Sequence, residues 1–199
     1  MIFSYGFLDE RTDALRVFLD LDVPDDDPLM AAKRRLCKDP PGIEISSPRT
    51  TEETTTWNSP FVWWACINEE DGLDFNVLQM NDGTKELQAT WKGERVETND
   101  QLKQHLKADS RWDVFQLRVL VTVLERVQGQ LGTLQRTDRV ISDLGNEAGM
   151  RELFRDEVLD VTSRLRGLEA ALLGRCIEDL MRQVGFPQRS GLAYADHGT

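Results

Sequence analysis

A few groups of residues in this sequence are of types that can do chemistry. Asp25, Asp26 and Asp27 are consecutive carboxylates, able in principle to hold a hard cation through oxygen. They lack the spaced ligands and the glycine of a calcium loop. Asp27 before Pro28 reads instead as a helix cap at the end of a solvated turn. Glu69, Glu70 and Asp71 form a second acidic run, close to Trp57, Trp63 and Trp64. Indoles beside carboxylates can line a ligand groove, here spanning Trp57–Asp71, although clustered aromatics more often pack a core or a domain interface. Cys37, Cys66 and Cys176 are odd in number and far apart, with no CxxC. They read as buried free thiols of a reducing compartment, not as a disulfide or zinc framework. His105 and His197 have no second ligand at metal spacing, so no metal ligands are expected. Tyr5 offers a phenol inside the apolar run Ile2-Phe3-Ser4-Tyr5-Gly6-Phe7-Leu8. No Walker loop, GxGxxG, HExxH or GxSxG is present.

Composition narrows the classes. The chain has 199 residues, 24 Lys+Arg against 35 Asp+Glu and a net charge of -11. Such acidity opposes non-specific binding to nucleic-acid phosphates, which needs positive potential. No apolar run approaches the roughly 18–20 residues of a membrane span. MIFSYGFLDE lacks the basic start and long apolar stretch of a signal peptide. An intracellular protein, cytoplasmic or nuclear, is expected, with neither nucleic acid nor membrane as partner. The acidity lies before residue 110: residues 111–199 carry thirteen acids against twelve bases, all of them arginine.

These residues need a frame. In Asp13–Asp22, Leu15, Val17, Leu19 and Leu21 alternate with Arg16, Phe18, Asp20 and Asp22, the period of a half-buried strand. Asp27 and Pro28 open a helix with Leu29, Ala32, Leu36 and Cys37 inward, stopped by Pro40-Pro41-Gly42, and a short strand follows at Ile43–Ile45. Residues 46–56 form a polar surface loop. Ser59-Pro60 starts a helix with Phe61, Trp64, Ala65 and Asn68 on one face, closed by Gly72. Asn81-Asp82-Gly83 supplies the positive φ of a tight hairpin at 74–91. Thr98 or Asn99 caps a short helix at 99–107, and Ser110 with Asp113 marks a capping box. Two heptad-like stripes then follow, Leu117–Leu134 and Phe154–Leu172, the second continuing through Cys176, Leu180 and Val184. The break near Gly145-Asn146 suits an antiparallel helical hairpin. Gly129, Gly132, Gly167 and Gly174 interrupt it and point to close helix contacts or bends. The fold class is α+β, mainly α. Residues 1–22 form a strand segment, 23–186 a mostly helical body and 187–199 a disordered tail.

The segment Ile2–Leu8 resembles the C-terminal motif of SET-domain lysine methyltransferases, an apolar strand running into Tyr-Gly. The order that follows is similar to the subclass of Rubisco large-subunit methyltransferase. There a Tyr-Gly-Phe precedes a strand rich in leucine and acids, an Asp-Pro-led helix and a helical substrate-binding domain; here these are Asp13–Asp22, Asp27-Pro28-Leu29 and the long helices. The specific residues lie mainly in 2–29, and the order of elements covers most of the chain.

The resemblance implies a role for Tyr5 as a tyrosine of the channel where a lysine amine meets S-adenosylmethionine. Its hydroxyl would orient the amine lone pair or stabilise charge near the methyl group. From the residues alone, Tyr5 is equally a strand aromatic with a satisfied hydroxyl. The family's Gly-rich and Asn-His elements, which cradle the methyl donor, have no counterpart: Gln104 precedes His105 and Asp196 precedes His197. The resemblance therefore implies the terminal SET strand plus the substrate-binding domain, inactive alone, with no cofactor-binding residues, unidentified substrate-binding residues and a protein substrate bearing a target lysine as partner. A reading from another class is a stand-alone helical interaction module using the hairpin at 110–184.

Overall fold

The computed structural model describes residues 8–9, 14–21, 27–48, 54–145 and 156–185. The expectations for Tyr5, Asp25, Asp26, Phe154, His197 and the tail at 187–199 lie outside the described residues. The described chain is mainly α, with two antiparallel sheets. One sheet runs β1 (Leu8–Asp9), β2 (Ala14–Asp20), β3 (Gly42–Pro48) and β4 (Thr56–Asn58) in sequence order. The other runs β5 (Leu73–Gln79), β6 (Lys85–Trp91) and β7 (Glu94–Val96).

The alternation read in β2 is real. Val17, Leu19 and Leu21 are buried while Arg16 and Asp20 face solvent and Phe18 is half exposed. Register with β3 sets Val17 opposite Ile45 and Leu19 opposite Ile43, so one apolar face is shared by both strands. The helices α4 (Trp112–Gly145) and α5 (Asp156–Val184) and the short helix α2 (Pro60–Ala65) pack on this sheet. Ser59 caps α2, its hydroxyl accepting from Val62 N–H at 3.2 Å, with Pro60 in the first turn. The one-faced reading of this helix needs correction. Phe61, Val62, Trp63 and Trp64 are all buried, so four successive residues of α2 are covered, while Pro60 and Ala65 at its ends are partly open.

Helix α1 (Met30–Cys37) also departs from expectation. Its buried residues are Met30, Lys33 and Cys37, whereas Leu29, Ala32 and Leu36 are only partly covered. The β5–β6 hairpin stands where it was expected, but its loop has five residues, Met80–Thr84, with Gln79 opposite Lys85. Asp82 Oδ1 accepts from Thr84 N–H at 2.9 Å and from its hydroxyl at 2.6 Å, and Gly83 alone supplies the positive φ. The tight two-residue turn lies at Lys92-Gly93, where both residues have positive φ and Trp91 pairs with Glu94.

Helix α3 (Asn99–Ala108) is capped by Thr98, whose hydroxyl accepts from Gln101 N–H at 3.2 Å. At the start of α4, Asp109 does the work assigned to Ser110: its Oδ1 accepts from Arg111 N–H at 2.9 Å. Helices α4 and α5 run antiparallel. Gln130 donates to Glu169 at 3.2 Å, and Arg166 donates to Asp138 at 2.5 Å and to the Leu134 carbonyl at 2.9 Å. The stripes meet only in part. Leu120, Leu124, Val127 and Leu134 are buried against Leu172, Leu173, Cys176 and Leu180, while Leu117, Val161, Leu165 and Leu168 are more than two-fifths exposed. The four helical glycines are not contact points: a Cβ on Gly129, Gly167 or Gly174 would meet no atom within 4 Å.

Candidate functional site

The expected groove over Trp57–Asp71 resolves into two clefts, one on each side of α2 and each of about 550 Å³. The acids and the indoles that were read together are thereby separated. One cleft is lined by Cys66, Asn68, Glu70, Asp71, Leu117, Arg118 and Thr122. The other is lined by Trp57, Trp63, Trp112, Asn99, Lys103 and Lys107, among others.

The first cleft sits over a line of charges that pins α1 and α4 to the turn at Glu69–Asp71. Asn68 and Asp71 cap this turn reciprocally, and Gly72 closes it at φ 107°. Asp71 is buried and accepts from Arg118 at 2.6 Å, from Arg111 at 3.4 Å and from Asn68 N–H at 3.1 Å. Its carbonyl accepts from Arg111 at 2.8 Å. Asn68 reaches back to Lys33, whose ammonium is fully buried and donates to Asp27 at 2.6 Å and to Asn68 at 3.1 Å. An ammonium taken out of water is tolerated only when paired in this way. Asp27 is thus occupied: it holds Lys33 and the Leu29 N–H, at 2.8 Å, as a cap. Among the described residues no group of three or more His, Cys, Asp or Glu is placed to hold a metal ion.

The thiols are poor nucleophiles here. Burial pushes the Cys66 thiol up, and it shares a hydrogen bond with the Thr122 hydroxyl at 3.3 Å. Burial likewise raises Cys37, and raises Cys176 to about 11. His105 faces Glu94, 3.3 Å from Nδ1 to the carboxylate. Among the described residues, none of these groups sets a nucleophile beside a base aimed into a cleft.

The second cleft is walled by aromatic and basic side chains. Trp63 stacks on Trp112 with centroids 5.4 Å apart and planes at 9°. Trp64 lies beneath, fully packed, its Nε1–H donating to Asn99 at 2.6 Å. Asn99 in turn donates to Asp39 at 2.6 Å, which fixes the first turn of α3 against the end of α1. That turn presents Lys103 with its ammonium 4.9 Å from the centre of the Trp63 ring, and Lys107 one helical turn on. The tryptophans therefore serve the core and a surface at once: Trp63 and Trp64 are buried, Trp57 and Trp112 half-buried at the cleft.

Of the residues singled out in the sequence, the structure brings Trp57 and Trp63 together in the second cleft, and Asp71 into the first. Tyr5 is outside the described residues; the strand that follows it, β1, is the edge of the first sheet and pairs Leu8 with Leu15. Lys33, Arg111, Arg118, Lys103 and Lys107 were not anticipated. A usable signal existed for the arginines, which stand seven apart, Arg111 just before α4 and Arg118 within it. None existed for Lys33, because a lysine in line with Met30 and Cys37 looks like a snorkelling neighbour until its partners are known.

No protein-family model matches the chain, and no solved structure matches it. Among curated proteins, the chain is similar to the SET domain-containing protein 8 of Schizosaccharomyces pombe, at 30% identity over 135 residues. The match covers 66% of this chain, and the chain spans 31% of that relative's length. This match supports a relationship to SET domain-containing proteins. No helix among the described residues is long and apolar enough to cross a membrane.

Proposed function

We propose that the chain is the substrate-binding, C-terminal part of a SET-domain protein-lysine N-methyltransferase of the Rubisco large-subunit methyltransferase type. The observation that carries this reading is the match to a SET domain-containing protein over two-thirds of the chain. The mainly helical body behind an antiparallel strand segment supports it. In this reading S-adenosylmethionine supplies the methyl group. The described residues do not fit that donor: both clefts are walled by side chains, and neither offers a glycine-lined backbone cradle for a nucleoside. The donor site belongs to the SET core. The body 23–186 holds a folded protein whose lysine projects toward that core. Tyr5 lines the lysine channel, where its hydroxyl fixes the amine lone pair.

The test is a transfer assay with radiolabelled S-adenosylmethionine and a protein extract. One arm uses this chain alone; the other joins it to the coding sequence upstream of Met1. Lysine labelling is expected from the joined form only. Saturable micromolar binding of S-adenosylmethionine to residues 1–199 would overturn the assignment, as would an upstream frame that encodes no SET core. The second reading, a stand-alone interaction module, draws on the exposed apolar residues of the hairpin's far half, Val140, Ile141, Val161, Leu165 and Leu168.

A further inference from the structure

The charge around the second cleft runs against the rest of the molecule. The chain carries a net charge of -11, and residues 41–110, which supply much of this cleft, hold thirteen acids against six bases. Yet the charged side chains lining it are Lys103, Lys107 and one acid, Asp100. Asp100 lies in the first turn of α3, where it serves the helix dipole. Among the described residues neither lysine ammonium has a carboxylate partner; Lys103 rests on Trp63, and Lys107 is exposed. By contrast Lys33 pairs with Asp27, Lys92 with Asp109, and Arg111 and Arg118 with Asp71. Two uncommitted ammonium groups one helical turn apart, beside half-buried Trp57 and Trp112, form an apolar floor with a cationic wall.

We infer that the cleft between α2, α3 and the start of α4 binds an extended acidic peptide segment, with its carboxylates on Lys103 and Lys107 and an apolar side chain against Trp57 and Trp112. This inference rests on the substrate-binding reading for one point only: the segment is then part of the methylated protein, and it flanks the target lysine. A basic segment is disfavoured by the two lysines. Charge complementarity of this kind selects among partners more than it adds affinity, so the complex should weaken with salt. The indoles supply area at low entropic cost, because they are already fixed by stacking and by the Trp64–Asn99 bond below them.

The test uses the full chain and three short peptides of one apolar pattern of leucine and phenylalanine, alternating with glutamate, glutamine or lysine. The indole N–H resonances of the five tryptophans report the contact directly. The glutamate peptide should shift Trp57, Trp63 and Trp112 and leave the core residues Trp64 and Trp91 in place, with binding weakened by salt. K103E/K107E should weaken this binding roughly tenfold and reverse the preference toward the lysine peptide. Lys107→Gln is the second variant. Lys107 is exposed, so the fold is untouched, and a severalfold loss is expected. Equal binding of all three peptides, binding unchanged in K103E/K107E, or no shift at the three cleft indoles overturns the inference. The peptide arm contains no methyl donor. Its failure removes the acidic-peptide site, whereas failure of the transfer assay removes the methyltransferase reading.

Discussion

The two halves of the α4–α5 hairpin share one sequence pattern and have different fates. Near the sheets, Leu124, Val127, Leu172, Cys176 and Leu180 are closed off from water. Farther along the same two stripes, Val161, Leu165 and Leu168 are 54%, 42% and 44% exposed, and Ile141 opposite them is 43% exposed. A heptad says which way apolar side chains turn on a helix, not what lies there to meet them. In the near half the sheet, α2 and the second helix together surround each residue. In the far half two helices have only each other, and a pair of cylinders cannot cover both flanks of its own seam. Leu117 makes the same point at the other end of α4. It continues the stripe in sequence, but it opens into the first cleft and is 47% exposed, while Phe115 and Val119 turn inward instead.

The largest expected effect separates the halves. Leu124→Asp places an unpaired carboxylate among apolar side chains and should cost about 3–5 kcal/mol of stability. Ile141→Asp, on the same helix but facing water on one side, should cost about 1 kcal/mol or less. Chemical denaturation of the two variants measures both. Equal losses would mean that the far half is as enclosed as the near one. Lys33→Ala comes next. It removes a fully buried ammonium from Asp27 and Asn68, leaves a cavity and strips Asp27 of its partner. A loss of about 3 kcal/mol is expected, at the low end for broken buried pairs because Asp27 keeps some solvent and its Leu29 N–H bond. A variant as stable as the parent would show that the charge line is ornamental.

How much of this was legible follows from what a sequence encodes locally. The β2 alternation, the Ser59-Pro60 and Thr98 caps, the 74–91 hairpin and the helical hairpin are all set by nearest neighbours, and all were readable. Lys33 was not, because its partners are Asp27, which is near, and Asn68, which is near only after folding. The Lys92-Gly93 turn was hidden by a lysine in a left-handed conformation, which sequence rules assign to glycine or asparagine. That lysine is held there because its N–H donates to the Gly72 carbonyl at 2.7 Å and its ammonium meets Asp109. The aromatic cleft was half legible. The tryptophans advertised it, but Lys103 and Lys107 join Trp57 and Trp112 only through the packing of three helices.

Acid should act on the near end of the hairpin. Lys92 bonds Asp109, and the Arg111 N–H adds to it, so this carboxyl is held below its ordinary value. At the end of α5, burial pushes Asp179 up but is outweighed by Thr55, whose N–H and hydroxyl bond it at 2.9 and 2.7 Å, and by Arg182. Asp179 too is lowered. For a depressed carboxyl the unfolded chain binds the proton first as pH falls. Its contribution is therefore fully present above about pH 4–5 and is lost as pH drops through the lower folded value. Hydrogen exchange followed as the pH falls below the ordinary carboxylate value of about 4 should loosen residues 109–115 and 176–182. Asp109→Asn should remove part of the acid sensitivity. A profile unchanged in that variant would show that Asp109 contributes nothing to it.

The smallest effect is the sharpest probe of the two halves. Gly129 lies in the buried half of α4 and Gly167 in the exposed half of α5; both have ordinary helical φ, and a Cβ on either meets nothing within 4 Å. Alanine at each site should therefore gain up to ~1 kcal/mol of helix propensity without a clash. What differs is where the gain is seen. Gly129 belongs to the part that unfolds with the core, so Gly129→Ala should raise the melting temperature by about 2–6 °C. The far half has little apolar cover and should open by itself at lower free energy. Gly167→Ala should then slow amide exchange across residues 161–170 while moving the melting temperature less. If Gly129→Ala lowers the melting temperature, that glycine serves a close approach after all. If the two variants raise it equally, the hairpin unfolds as one cooperative unit, and the exposed seam is no weaker than the buried one.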